Sequence, residues 1–269
     1  MHDSRRGRRA ARKEPQAVAD TTPRLIAIDL DGTLLDADGV VPERNRRALH
    51  AAHEAGLKLV LCTGRTFTET RDVIEQIGLD LDATVTIGGA LISEAMTGRT
   101  LERVEIEAEL SRECVRWLQA RDYAVIVTHD VQQHGFDGYV IDGRRCHDGM
   151  KRWLKWTRCE MRVLFDVDVL DGSLLRISVV DDLDTVRETV DEFAAAFGDR
   201  LSHNVIHVAS SGFTILEAFH RDVTKWTAIE RLCRRWRIDP RATVAIGDDV
   251  NDAVAFRFAL FLLIDQSRA

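Results

Sequence analysis

The chain has 269 residues, a formal net charge of −7 and a pI of about 5.7, long enough for two domains and too acidic for a general affinity for nucleic acid or anionic membrane. No run approaches the roughly 20 apolar residues needed to span a bilayer. The cysteines, Cys62, Cys114, Cys146, Cys159 and Cys233, are odd in number and lack C-x-x-C spacing, so neither a disulfide framework nor a zinc site is indicated and the expected compartment is the reducing cytoplasm.

Residues 1–23 crowd Arg5, Arg6, Arg8, Arg9, Arg12 and Lys13 into a stretch without apolar periodicity, which reads as a disordered basic tail. It is like a twin-arginine signal only superficially, since no hydrophobic region follows. Leu25-Ile26-Ala27-Ile28 then reads as a buried strand, followed at once by Asp29-Leu30-Asp31-Gly32-Thr33. Side chains at i and i+2 of a strand share a face, so Asp29 and Asp31 leave the strand end together before Gly32 turns the chain. Two like charges so placed call for a cation; one carboxylate can then attack an electrophile while its neighbour handles a proton.

Leu57 to Cys62 is a second strand candidate, ending in Thr63-Gly64-Arg65, where a hydroxyl and a flexible backbone amide can hydrogen-bond a phosphate oxygen. Ala83 to Ile87 reads as a third strand, leading through Gly88-Gly89-Ala90 into an insertion far longer than a crossover requires. Within it we expect a hairpin around Gly98, a helix at about 107–121, a strand at 123–128 and a Trp-rich helix near 149–158. Strands near 161–168 and 174–180, a helix at 184–197, and strands near 205–209 and 213–217 complete it. This alternation points to an α+β lid. Its candidate substrate contacts are His129, His134, Asp137, Asp142, Arg144, Arg145 and His147.

Asp222-Val223-Thr224-Lys225-Trp226 opens an amphipathic helix to about Arg237, with Ile229, Leu232, Cys233 and Trp236 at helical spacing. Lys225 thus sits in the first turn, where the helix dipole disfavours a cation, which suggests a phosphate role rather than a stabilising one. Ala242 to Ile246 reads as another buried strand and delivers Gly247-Asp248-Asp249-Val250-Asn251-Asp252, a second acidic cluster at a strand's carboxyl end. Phe256 to Ile264 reads as a helix and strand. Ligands of open parallel sheets bind beyond the carboxyl ends of the strands, where all these groups fall.

Taken together and in this order, the D-x-D-G-T, T-G-R, helix-opening Lys and G-D-x-x-N-D segments resemble the haloacid dehalogenase (HAD) superfamily of phosphotransferases, in the layout of its Cof-type class IIB members. The resemblance covers nearly everything after Pro23. It implies an α/β fold with a Rossmann-like parallel-sheet core at 24–91 and 212–269 and an inserted α+β cap at 92–211. It also implies a phosphatase for a small phosphorylated metabolite, most plausibly a sugar phosphate. Asp29 would be the nucleophile and Asp31 the general acid and base; Thr63, Gly64, Lys225 and Asn251 would hold or orient the phosphate. Mg²⁺ would take Asp29, the backbone carbonyl of Asp31, Asp248 and Asp252. The alternatives are a sugar phosphomutase of the phosphomannomutase type and a non-catalytic anion-binding regulator. Three departures stand out: Gly88 where Asn is frequent, Trp226 where Gly is usual, and a chain ending at Ala269 where relatives run on for another strand and helix. Trp226 would either crowd the helix entrance or offer an aromatic wall to the substrate.

Overall fold

The computed structural model of the chain describes residues 22–170, 172–208, 212–248 and the strand 261–264. The basic tail up to Thr21, the loop residue Asp249 and the candidates Asn251 and Asp252 lie outside the described residues.

Two sheets organise the molecule. The first begins with β1 (Leu25–Ile28), helix α1 (Glu43–Glu54), β2 (Lys58–Cys62), helix α2 (Phe67–Ile77) and β3 (Ala83–Thr86). A short hairpin follows, β4 (Leu91–Ser93) and β5 (Thr100–Arg103). After a long excursion the chain returns with helix α7 (Lys225–Trp236), β12 (Thr243–Gly247) and β13 (Phe261–Ile264). Spatial order is β13-β12-β1-β2-β3-β4-β5, parallel from β13 to β3 and antiparallel at the hairpin. β1 is therefore central, and the chain runs outward from it in both directions, which makes its carboxyl end a topological switch point. Alternation along the strands explains the layers. Leu25, Ala27, Val60 and Cys62 pack on Trp226, Ile229, Leu232 and Cys233 of α7, whereas Ile26, Ile28, Leu59 and Leu61 pack with Leu49 of α1 and Val73, Ile74 and Ile77 of α2.

The excursion builds the second sheet. It comprises helix α3 (Ala108–Gln119), β6 (Val125–Thr128), the short helix α4 (Val131–His134), β7 (Gly138–Ile141), helix α5 (Asp148–Trp156) and β8 (Met161–Leu164). Then come β9 (Arg176–Asp181), helix α6 (Leu183–Phe197), β10 (Leu201–Val208) and β11 (Phe213–His220), in the order β10-β11-β9-β6-β7-β8. One face is closed: Val125, Val127, Ile177, Val179, Leu216 and Ala218 bury against Cys114, Val115 and Leu118 of α3 and Val186, Phe193 and Phe197 of α6. The alternate residues face the other way, toward α5 and the first sheet. This is an α/β core with an inserted α+β cap, as expected.

Sheet membership differs from the sequence reading at both edges of the insertion. The hairpin around Gly98 extends the first sheet, because β4 folds straight back on β3 (Val85 opposite Ile92). The strand from Phe213, read among the strands of the insertion although the returning core was drawn from 212, pairs along its whole length with β10 and through Thr214–Ala218 with β9, so the core resumes only after it. β7 was not among the expected elements; it passes so close to β6 that a Cβ on Gly138 would lie 2.0 Å from the Val127 carbonyl oxygen. The strand near 161–168 is shorter than expected, ending at Leu164 ahead of a turn at Val167–Val169.

Gly89 fixes the entrance to α7. Its φ is +109°, and a Cβ would fall 2.2 Å from the Thr224 carbonyl oxygen. Arg231 also donates to the Gly89 carbonyl at 2.8 Å. Replacing Gly89 by Ala adds both left-handed strain and a backbone clash, and the expected loss is about 2–4 kcal/mol. Urea unfolding checks this: the midpoint should fall with the slope unchanged.

Candidate active site

Each polar motif emerges where a parallel strand ends. Asp29 follows Ile28 of β1, its amide donating to the Ile246 carbonyl of β12 at 2.9 Å. The carboxylate is almost fully buried, at 6% residue exposure. Lys225, in the first turn of α7, donates to Asp29 Oδ1 at 2.7 Å. That turn is set by a capping box in which Thr224 and Thr227 satisfy each other's amides, so the ammonium is delivered by the helix start itself. Asp31 is exposed and lies in a bidentate fork from Arg65, with Nε to Oδ2 at 2.9 Å and Nη2 to Oδ1 at 2.5 Å. Each of its oxygens thus accepts one hydrogen bond from Arg65. Thr63 is buried and its hydroxyl oxygen accepts the Arg65 amide at 3.1 Å, which leaves the hydroxyl proton for a further acceptor.

Asp248 follows Gly247 of β12 and comes against the D-x-D-G-T turn. Gly32 has a φ of +80°, and a Cβ on it would fall 1.9 Å from Asp248 Oδ2; Thr33 donates to Asp248 Oδ1 at 3.4 Å. The absence of a side chain at Gly32 therefore brings a second carboxylate beside the Asp29–Asp31 turn. Carboxylate and backbone carbonyl oxygens at this turn are hard donors of the kind a divalent cation takes. The structure thus gathers Asp29, Asp31, Thr63, Gly64, Lys225 and Asp248 around one strand-end cleft. Trp226 resolves the open alternative: it is buried under the sheet beside Leu25 and Ala27 and forms no wall of that cleft.

The second sheet closes over the cleft and leaves a cavity of about 420 Å³. Asp31, Arg65 and Glu69 line it from the first sheet's side; Arg176, Ser178, Glu217, Trp153 and Phe213 are among the residues that line it from the other. Sequence reading missed this set. Arg176 donates to the Gly64 carbonyl and to Glu217 Oε1, both at 2.8 Å, and so joins the cap to the T-G-R loop. Burial pushes the Glu217 carboxyl up from its ordinary value, with Arg176 opposing. Glu69 completes a capping box with Thr66, and its other oxygen accepts from Trp153 Nε1 at 3.0 Å and Thr157 Oγ1 at 3.1 Å. The T-x-x-E spacing at 66–69 and the i, i+2 polar pair Arg176 and Ser178 were the available signals. Burial raises the Cys114 and Cys159 thiols to about 12, so neither supplies a thiolate at neutral pH.

A doubly wound sheet with acidic and cationic groups at its switch point and an α+β lid is the architecture of a phosphohydrolase. The family model of haloacid dehalogenase-like hydrolases matches residues 26–260. Among curated proteins, phosphatase YwpJ of Bacillus subtilis is 26% identical over 250 residues, covering 85% of this chain and 84% of its own. The 5-amino-6-(5-phospho-D-ribitylamino)uracil phosphatase YwtE of the same organism is 25% identical over 254 residues, covering 87% and 84%. Among solved structures, SMU.1108c of Streptococcus mutans superposes with a TM-score of 0.73 at 18% identity, over 90% of this chain and 86% of that one. The HAD subclass IIB sugar phosphatase BT4131 gives 0.70 at 17%, over 89% and 86%. The chain belongs to the haloacid dehalogenase-like hydrolases, as a Cof-type phosphatase.

None of the seven cap residues expected to meet substrate lines this cavity. Asp137 is buried, accepting from Thr68 Oγ1 at 2.6 Å and the Glu160 amide at 2.8 Å, and so ties cap to core. His147 lies within 4.8 Å of Asp181 and Asp182. Its Nδ1 already accepts the Gly149 amide, so in the neutral ring Nε2 carries the proton toward Asp182, 3.3 Å away, and no lone pair remains for a cation. Asp142, Arg144 and Arg145 sit at the far end of the cap, where Arg144 and Arg145 flank His147. His129 is packed in an aromatic cluster, 4.1 Å from His134 and 4.6 Å from Phe136 by ring centroid, and neither nitrogen finds a partner among the described residues. Burial, with His134 adding, lowers its pKa from 6.5 to about 4. The unfolded chain therefore takes up this proton first as pH falls. The stability His129 confers is whole above about pH 6.5 and is lost toward pH 4, by about 2 kcal/mol at pH 4.5. Against wild type, His129→Phe should gain that much between pH 7 and pH 4.5 in urea unfolding; parallel pH slopes for the two proteins would refute the assignment.

Proposed function

We propose that this protein is a Mg²⁺-dependent phosphatase of small phosphorylated metabolites, with sugar phosphates as the starting class, acting through an aspartyl-phosphate on Asp29. The observation that carries it is the buried Asp29 carboxylate held by Lys225 at 2.7 Å, with Asp31 two residues on and Asp248 across Gly32. Its family membership and the phosphatases among its relatives support the same reading.

Asp29 Oδ attacks phosphorus as the bond to the ester oxygen breaks, and Asp31 gives that oxygen its proton. To act as the acid, Asp31 must leave the Arg65 fork and take a proton from solvent, and an arriving phosphate dianion offers the guanidinium a competing bidentate acceptor. A water then attacks the phosphorus of the acyl phosphate and passes its proton to Asp31. The bond to Asp29 breaks, releasing inorganic phosphate and leaving Asp29 as the carboxylate and Asp31 as the acid, as at the start of the transfer. Lys225 offsets charge on Asp29 and on the transferring group, and the Thr63 hydroxyl and Gly64 amide orient non-bridging oxygens. The Asp29 and Asp248 carboxylates and the Asp31 carbonyl would hold Mg²⁺, with Asp252 in support and Asn251 orienting the phosphate. When bound, the ion neutralises charge on the phosphoryl group and fixes its orientation.

Two experiments test this. Chelation should abolish phosphate release and Mg²⁺ restore it, while Ca²⁺ restores it poorly because it prefers more ligands at longer distance; full turnover in chelator would sink the metal assignment. The second separates the carboxylates. With an activated aryl phosphate, Asp31→Asn should still phosphorylate Asp29 and then hydrolyse slowly, with kcat down about 10²–10⁴-fold. Asp29→Asn should take up no phosphate. Acid quench and peptide mass spectrometry read the outcome, and label on the Asp29→Asn protein would overturn the division of roles.

A further inference from the structure

The backbone of the T-G-R loop is held from two domains. The core fixes most of it: the Thr63 amide donates to the Val85 carbonyl at 2.9 Å, the Thr63 carbonyl accepts the Gly88 amide at 3.1 Å, and the Arg65 carbonyl accepts the Ile87 amide at 2.8 Å. The peptide unit between Gly64 and Arg65 is different. Its carbonyl accepts from Nη1 of Arg176, on β9, at 2.8 Å, so its oxygen is held by the cap. Its N–H donates to Thr63 Oγ1 at 3.1 Å.

A trans peptide is planar, with its C=O and N–H pointing opposite ways, so these two bonds are coupled. A turn of the plane that releases the carbonyl also swings the N–H off Thr63 Oγ1. Glycine makes such a turn easy because no side chain opposes it, and the space beside Gly64 is open, with nothing within 4 Å of where a Cβ would stand. The Thr63 hydroxyl therefore takes its orientation from the cap. While it accepts the Arg65 N–H, its own proton is left for another acceptor; without that donor the hydroxyl can turn round. Arg176 is itself fixed. It is buried, at 8% exposure, and Nη1 also donates to Glu217 Oε1 at 2.8 Å, which commits both protons of that nitrogen.

We propose that Arg176 is a positioning residue for phosphoryl transfer: from the cap it fixes the Gly64–Arg65 peptide, and through that peptide the Thr63 hydroxyl, so that the phosphate loop is set only while the cap is closed. The role requires no contact between Arg176 and the phosphoryl group. Closure of the lid thereby becomes a condition for transfer as well as a barrier to water. This rests on the phosphatase reading, in which Thr63 meets a non-bridging oxygen.

A double-mutant cycle on Arg176→Met and Thr63→Val in the full-length protein with Mg²⁺ tests it. The readouts are kcat and KM for p-nitrophenyl phosphate and, without turnover, the calorimetric affinity for orthovanadate, a mimic of the transferring group. Arg176→Met should lower kcat about tenfold or more, with KM changed less than about threefold, and should weaken vanadate binding about tenfold. In the Thr63→Val background, where there is no hydroxyl to orient, the same substitution should cost less than about threefold in either readout. Arg176→Lys, which still brings a donor from β9, should recover most of the loss. A purely structural role predicts equal losses in both backgrounds, since a smaller folded fraction scales both rates alike. That result, or wild-type kcat in Arg176→Met, would overturn the proposal. If Arg176→Met does not fold, Arg176→Gln carries the same cycle, because its amide keeps a polar group beside Glu217 yet is two bonds shorter. Vanadate binding with the expected cycle but no phosphate release would sink the phosphatase reading alone. Phosphate release with an additive cycle would sink only this proposal, and failure of wild type to bind vanadate would sink both.

Discussion

A carboxylate buried at the end of a hydrophobic strand is tolerable only beside a cation, and the Asp29–Lys225 contact at 2.7 Å supplies one from 196 residues away. Much of the core answers to that requirement. β1 must be central so that Asp29 opens at the switch point, α7 must start where β3 ends, and Gly89 must lack a side chain for the two to meet. Removing one member of such a pair strands the other charge and costs about 3–5 kcal/mol. The charged groups of the candidate site are thus also structural ones, and Lys225 occupies a first-turn position that the helix dipole disfavours.

The cap works by asymmetry. A sheet packed on helices on both faces has no surface left for a ligand; here α3 and α6 close one face and the other lies over the strand ends of the core. Its alternate residues change from charged near the T-G-R loop to apolar beyond it. Arg176 spans the two domains, bonding the core's Gly64 carbonyl and the cap's Glu217, and Glu69 spans them in reverse by accepting from Trp153 and Thr157. Contacts of this kind break and re-form more readily than a packed apolar interface, which suits a lid that must admit substrate and then exclude water.

Local signals were legible where local physics decides. The apolar runs before Asp29, Thr63 and Asp248 are strands because buried parallel strands need continuous apolar sequence, and a strand's period places Asp31 with Asp29. The amphipathic spacing after Thr224 is a helix with Lys225 in its first turn. Partner choice was not legible. The hairpin at 91–103 carried a correct local signal and was assigned to the wrong sheet, because pairing depends on which edge is free rather than on the strand's own residues. The cap histidines and arginines drew attention as polar residues in loops, yet His129 is an aromatic core residue and Asp137 a cap-to-core tie.

By itself, then, the sequence placed acidic and hydroxyl groups at the carboxyl ends of parallel strands, where ligands bind, and the order of those motifs carried the resemblance that implied phosphoryl transfer. It determined that a large insertion would supply recognition. Only the tertiary structure decided which insertion residues face the core's strand ends. Arg176, Ser178, Trp153 and Phe213 come from two strands and a helix, and what they have in common is facing one cavity. It also decided that Asp31 rests in the fork of Arg65, a contact between residues 34 apart that no spacing rule anticipates. Side-chain direction within a strand is a local property; which face of which sheet looks at the active site is settled only when the two domains close on each other.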